Sequence, residues 1–157
     1  MTRINVGVNP SFLSDQHLVA ESAEITMIFG QLVYTNWKVK GIIPKKFTLG
    51  TGHMNFFKNK LNYLRGRLAS VNVEMINREF VPGTNVDKYM EIAPIGLCND
   101  WSPDLQDSLI VRNRIVDRLL TRSNGKLGEG YYKYRRSVID NIDQFSNALY
   151  TSEINIV

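Results

Sequence analysis

Apolar residues recur along this chain at helical intervals. Between residues 51 and 79, Phe57, Leu61, Leu64, Leu68, Val71 and Met75 are spaced 4, 3, 4, 3 and 4. Such spacing predicts one long helix with a core-facing stripe. Gly66 is a weak point within it, costing about 1 kcal/mol against alanine where exposed, and Pro82-Gly83 breaks the chain beyond it. Upstream, Ser14 or Asp15 caps a helix expected to reach Phe29, where Gly30 offers a stop. Leu18, Ile25 and Phe29 form its apolar stripe, with His17, Glu21 and Glu24 as a polar stripe beside it. A third helix begins at Ser102-Pro103-Asp104, with a serine cap, proline at the first helical position and an acid in the first turn. It is expected to reach Thr121 and to bury Leu105, Leu109, Val116 and Leu120. Ser123-Asn124-Gly125 and Gly128 read as a loop, and a tail helix is expected from Ser137 with Val138, Ile142, Phe145 and Leu149 on one face. Residues 30–52 and 84–101 read as connections, the second with one helical turn around Lys88. No strand alternation or internal repeat stands out. The pattern predicts an all-α fold: a compact single domain of three principal helices plus a C-terminal helix.

A length of 157 residues suits one such domain. No apolar run approaches the roughly 18 residues that span a bilayer. The opening MTRINVGVNPSF lacks the apolar core of a signal peptide, so a cytosol-like compartment and no membrane are expected. Cys98 is the single cysteine, which rules out an internal disulfide. With only two histidines, far apart, a zinc ribbon or finger has no ligand set. His17 and Glu21, at i and i+4, would offer a metal only two donors. GTGHMNFF carries the glycines of a phosphate loop without its Lys-Ser/Thr or a preceding strand. No metal and no cofactor are expected, and a packed apolar core must carry the stability.

Charge changes the picture through its distribution. The formal net charge is only +4, yet residues 38–67 hold eight basic residues and no acidic one. Residues 112–136 hold eight more against Asp117 and Glu129, whereas the last 21 residues carry Asp140, Asp143 and Glu153 and no base. Two basic blocks in a small domain suit a polyanion such as a nucleic-acid backbone. Ordinary solvated helix faces would look the same.

Nucleophilic chemistry has one opening at the N-terminus. Thr2 follows Met1 and is small enough for the methionine to be removed, which would free its α-amine. Such an amine has an unperturbed pKa of about 7.7–8.0 and is partly neutral at physiological pH. It can form a Schiff base as a lysine does, with less pKa depression required. A nearby carboxylate must then stabilise the cation and move protons. Glu21 and Glu24, on the first helix, are the candidates.

Several ordered motifs carry a resemblance. Thr2-Arg3-Ile4-Asn5, then Asp15-Gln16-His17-Leu18-Val19-Ala20-Glu21 and Glu24, then Phe47-Thr48-Leu49-Gly50-Thr51-Gly52-His53-Met54-Asn55-Phe56-Phe57, Lys60-Leu61, Leu64 and Arg65 follow one another at matching spacings. Tyr131-Tyr132-Lys133-Tyr134 adds an aromatic C-terminal segment. Together they resemble the phage pyrimidine-dimer DNA glycosylase/AP lyases of the endonuclease V family, over residues 2–136. The resemblance implies a compact all-α domain over residues 1–136, with residues 137–157 as an added C-terminal extension that packs as a helix or gates a basic groove. It implies a monomeric DNA repair enzyme acting on a lesion in double-stranded DNA, in the host cytoplasm if phage-encoded. The Thr2 amine would attack the deoxyribose anomeric carbon, and Glu24 would stabilise the imino intermediate and assist β-elimination. Arg3, Gln16 and His17 fall where the family contacts the sugar-phosphate around the lesion. Arg114 and Arg118 match phosphate-contacting positions, and would otherwise be a solvated helix face. Tyr132, Lys133 and Tyr134 fall in a DNA-facing segment, although the same rings would serve to close the core. His53 reads as a helix-start or packing residue.

The sequence departs from the family at two telling places. Arginines precede the catalytic glutamate and follow it by three residues in the family, whereas Ala23 and Met27 stand here. Losing two phosphate contacts should weaken binding and flatten its salt dependence by about two units of slope. One residue is also inserted before Asp15. Two alternatives to dimer repair stand beside it: the same chemistry on a different damaged or modified base, suggested by Ala23 and Met27, and a non-catalytic DNA-binding or interaction protein on this scaffold.

Overall fold

The computed structural model describes residues 4–123 and 131–152. Its architecture is all-α: the described residues form six α-helices, two short 3-10 turns and a single two-stranded hairpin. The chain packs as two units, one of Ile4 and residues 20–102, the other of residues 5–19 and those from 103 onward.

Helix α1, Asp15–Tyr34, is one turn longer than its sequence suggests. Ser14 is its cap, because the Ser14 Oγ accepts the His17 backbone N–H at 3.3 Å, which leaves the Asp15 carboxylate available elsewhere. Gly30 does not stop the helix. It faces solvent while Ile28, Phe29 and Leu32 on the core side are all buried, and that burial outweighs the glycine's conformational cost. The stop is a left-handed pair, Asn36 at φ 51° and Trp37 at φ 63°, with the Trp37 N–H reaching back to the Leu32 carbonyl at 2.6 Å.

The expected long helix is two helices. α2 spans His53–Phe57 and α3 spans Leu61–Asn77. Every residue of the predicted stripe is nonetheless buried, from Phe57 to Met75. The break has a tertiary cause. Lys60 forms an isolated antiparallel bridge with Cys98, and the Asn99 side-chain amide donates to the Asn59 carbonyl at 2.8 Å. The Lys60 ammonium lies 3.9 Å from the Phe56 ring centroid and donates to the Phe56 carbonyl at 2.7 Å, satisfying the end of α2. Partial burial lowers its pKa. Around this junction Phe47, Phe56, Phe57, Tyr63 and Trp101 form an aromatic cluster, with Trp101 edge-on to Tyr63 at 5.0 Å and to Phe56 at 5.1 Å. Such pairs add about 0.5–1.5 kcal/mol beyond their buried area.

α3 ends before Pro82, where Glu79 turns left-handed at φ 61° and the Phe80 N–H reaches the Met75 carbonyl at 2.8 Å. The Pro82-Gly83 corner then folds tightly onto α1. A Cβ on Gly83 would sit 2.2 Å from the Ser22 Oγ, so a larger residue there would have to displace the Ser22 side chain. α4, Asp87–Met90, is the expected turn around Lys88.

In the second unit α5 spans Leu105–Ser123. Its cap is Asp104, not Ser102: the Asp107 N–H donates to the Asp104 carboxylate at 2.8 Å and the Asp104 N–H to the Asp107 carboxylate at 3.1 Å. The buried face is also rotated from the one expected. Ser108, Val111, Arg112, Ile115 and Leu119 are buried, whereas Leu105 and Leu120 are exposed. An arginine on the core side explains the error, since hydrophobic spacing counts it as polar. The Arg112 Nε donates to the Leu149 carbonyl at 2.6 Å and its guanidinium also meets the Ser108 Oγ. Burial pushes its pKa down. The Ser108 hydroxyl donates in turn to the Gly7 carbonyl at 3.0 Å, and Gly7 stands at φ 68° with no room for a Cβ beside Ser108.

The tail helix α6 spans Ile142–Thr151 and starts later than expected, capped by the Asn141 side chain, which accepts the Gln144 N–H at 2.9 Å. It lies against α5 through Arg112 and through the Tyr150 hydroxyl, which donates to Asn113 Oδ1 at 2.5 Å. Residues 137–138 belong to a hairpin instead, with β1, Lys133–Tyr134, antiparallel to β2, Ser137–Val138. The predicted loop glycines at 125 and 128 lie outside the described residues.

Gly66 lies on the exposed face of α3, and a methyl group there would meet nothing within 4 Å, so Gly66→Ala has room. It is expected to raise stability by about 0.5–1 kcal/mol through the lost freedom of the unfolded chain. Thermal denaturation checks this, with a rise in Tm of roughly 1–4 °C. An unchanged or lower Tm would show that the α3 backbone needs glycine there.

Candidate active site

Two carboxylates of α1 stand three residues apart in the first unit, and their surroundings differ. Glu21 is fully buried and held by an arginine fork: Arg67 Nε meets Oε1 at 2.7 Å and Nη2 meets Oε2 at 3.0 Å. Burial opposes the charge on Arg67, and the adjacent Glu21 carboxylate overcomes that opposition and raises its pKa. The pair joins α1 to α3 and is a structural tie. Glu24, 2% exposed, lies in the next turn.

The N-terminal segment enters the same unit at Ile4, which is completely buried. Its backbone N–H donates to His53 Nε2 at 3.1 Å, while His53 Nδ1 meets the Thr48 carbonyl at 2.7 Å. His53 is thus both helix start and packing residue, and it also grips the backbone two residues past Thr2. Thr2 and Arg3 themselves lie outside the described residues.

In the second unit, the first turn of α1 holds the hairpin. Arg135 at φ 49° and Arg136 at φ 66° form its two-residue turn. Left-handed backbone costs a non-glycine residue roughly 1–2 kcal/mol, and such turns favour Asn-Gly. Asp15 compensates, its two carboxylate oxygens accepting the Arg135 N–H at 3.0 Å and the Arg136 N–H at 2.7 Å. The Gln16 side-chain amide donates to the Tyr131 carbonyl and its oxygen accepts the Lys133 N–H at 2.9 Å. His17 stacks on Tyr132 with centroids 5.1 Å apart and planes 5° from parallel, and its Nδ1 meets the Ser14 Oγ at 2.7 Å. The Tyr134 hydroxyl donates to the Ser11 carbonyl at 2.9 Å. Gln16, His17, Tyr132, Lys133 and Tyr134 are therefore brought together. Tyr132 is buried, while the side chains of Lys133, Arg135 and Arg136 are exposed around the turn.

The basic blocks are less uniform than their sequence implies. Arg67 is committed to Glu21, Arg65 pairs with Asp87 at 2.6 Å, and Arg112 is internal. Arg114 is half-buried and Arg118 exposed, four residues apart on α5. Among the described residues no group of three His, Cys, Asp or Glu side chains is arranged to hold a metal, and no helix is long and apolar enough to cross a membrane. His17 and Glu21, the one metal pair suggested by spacing, each have the partners described above.

A family model for pyrimidine dimer DNA glycosylase matches residues 1–88, more than half of the chain. The chain belongs to this family. It is a DNA repair glycosylase, and the family acts on DNA containing pyrimidine dimers. The glycosylase match takes in the N-terminus, α1, α2 and α3. It includes the positions of Thr2, Arg3, Gln16, His17, Glu24 and His53, while α5, the hairpin and α6 lie beyond it. Sequence reasoning missed the Glu21–Arg67 tie, the internal Arg112 and the Asp15 hold on the hairpin. Each joins residues distant in sequence or hides a charge in a core, and periodicity carries no signal for either.

Proposed function

We propose that this glycosylase is bifunctional, removing the lesion base and then cutting the strand as an AP lyase. The neutral Thr2 amine attacks C1′ of the deoxyribose at the lesion, and the base departs with the electrons of the glycosidic bond. The C1′–O4′ bond then breaks, O4′ taking a proton as the sugar ring opens, and this leaves a cationic imine for which the Glu24 carboxylate is the counter-charge in this scheme. Loss of a C2′ proton then expels the 3′ phosphate by β-elimination, and water releases the sugar from the amine. Glu24 stabilises the cation and assists proton transfer. The observation that carries this assignment is the family match, which takes in the positions of both Thr2 and Glu24, while Glu21 is tied to α3 by the Arg67 fork.

Phosphate anchoring falls in this scheme to Arg3, to Arg114 and Arg118 on α5, and to the hairpin. Lys133 offers its charge from the hairpin, and Gln16, His17, Tyr132 and Tyr134 brace the segment against the duplex backbone. Glycosylases that extrude a nucleotide need such anchors on both sides of the lesion. The same chemistry aimed at another damaged base is the second reading, favoured by exposed Ala23 and by Met27, 45% exposed, where the resembling enzymes carry arginines.

Borohydride trapping with untagged protein, its mass showing Met1 removed, tests both. Trapping on a duplex holding a cyclobutane pyrimidine dimer is the expected result. Trapping on an abasic duplex alone would keep the lyase and move the glycosylase to another base. No trapping on either, with Thr2 free, would overturn the scheme and leave a non-catalytic DNA-binding protein.

A further inference from the structure

His53 makes two hydrogen bonds of opposite sense. The Thr48 carbonyl only accepts, so His53 Nδ1 carries the proton and donates at 2.7 Å. The Ile4 N–H only donates, so Nε2 offers its lone pair at 3.1 Å. Both bonds together require the neutral ring with its proton on Nδ1. The ring plane is set by edge-on contacts to Phe47, with centroids 5.6 Å apart, and to Phe57 at 5.3 Å. At 2% exposure, His53 is enclosed.

The backbone that this ring grips leads directly to the proposed nucleophile. An extended chain advances at most about 3.3–3.6 Å per residue, so the Thr2 nitrogen stays within roughly 7 Å of the Ile4 nitrogen. We infer that His53 is a positioning residue for the N-terminal amine, holding the Ile4 N–H so that the amine meets the sugar carbon in attack geometry. This rests on the Thr2 chemistry proposed above. A misplacement of about 1 Å at a reacting centre costs on the order of 10²-fold in rate. Packing alone would not need an acceptor at Nε2, since an apolar ring would fill the same space.

Two substitutions separate the bonds. His53→Asn puts an amide N–H near the Nδ1 position, keeping the bond to Thr48 and losing the acceptor for Ile4. His53→Gln extends an amide oxygen toward Ile4 and gives up the Thr48 bond. Both delete the ring, so their packing losses are similar. Single-turnover borohydride trapping on an abasic duplex, at saturating DNA, should slow roughly 10–100-fold in His53→Asn and within a few-fold in His53→Gln. Affinity for undamaged duplex should be unchanged in both. Equal trapping rates in the two variants, with the unsubstituted protein trapping normally, would overturn the inference. Failure of the unsubstituted protein to trap would instead strike the Thr2 chemistry. Should either variant not fold, nitrogen NMR of the unsubstituted protein decides: protonated Nδ1 and an exchange-protected Ile4 amide are expected, and a proton on Nε2 would overturn it.

Discussion

A protein that carries any residue ahead of Thr2 is expected to form no borohydride-trapped complex and to cut no abasic duplex. An added residue turns the α-amine into an amide nitrogen, whose lone pair is delocalised into the carbonyl and is no longer nucleophilic. The free amine, by contrast, is roughly 30% neutral at pH 7.4 if its pKa is near the unperturbed 7.8. Denaturing gel electrophoresis after borohydride reduction reads the covalent complex, and mass spectrometry reports whether the N-terminus is free. Binding to undamaged duplex should largely persist, because of the anchors proposed above only Arg3 adjoins Thr2 along the chain. Full strand scission by an N-terminally extended protein would sink the Thr2 mechanism.

The second large effect separates the two glutamates of α1. Glu24→Gln should reduce strand scission by about 10²–10⁴-fold while leaving folding and DNA binding largely intact. Glu21→Gln should act on stability instead. It leaves Arg67 in a buried site without its counter-charge, at a cost of about 3–5 kcal/mol. Denaturant unfolding and abasic-site scission, measured on both variants, give the contrast. If Glu24→Gln destabilised the protein as much as Glu21→Gln and lost binding together with scission, Glu24 would be a structural carboxylate.

Where stripes are long, burial is readable from spacing alone. All six apolar positions from Phe57 to Met75 are buried, as are Leu18, Ile25 and Phe29. The same stripe conceals the break at Lys60, because a bridge to Cys98 and the amide of Asn99 supply the backbone partners that a continuous helix would otherwise provide. Gly30 shows the converse error: a local stop signal is overridden by Leu32, which extends the buried face by one turn. On α5 the true face includes an arginine, so counting apolar residues alone selects a rotated one.

The site divides in the same way. Thr2, Glu24 and the aromatic-basic run are proposed for the site from ordered motifs, which point to chemistry by residue type and spacing. Their supports were not legible in this way. Asp15 holds the Arg135-Arg136 turn across 120 and 121 residues, Arg67 reaches Glu21 across 46, and His53 reaches Ile4 across 49. The two arginines of that turn carry no hairpin signal, since only the Asp15 carboxylate makes their left-handed backbone tolerable.

By itself, the sequence determined the helical class, most of the buried stripes, the family and the residues proposed for chemistry. These depend on local periodicity and residue identity, which need no knowledge of what lies opposite. The tertiary structure alone decided where helices break, which face of α5 turns inward, that Glu21 is tied to Arg67, and what holds the N-terminal backbone. Those outcomes belong to pairs of groups far apart along the chain: whether a charge or an N–H is satisfied depends on the partner that folding brings to it.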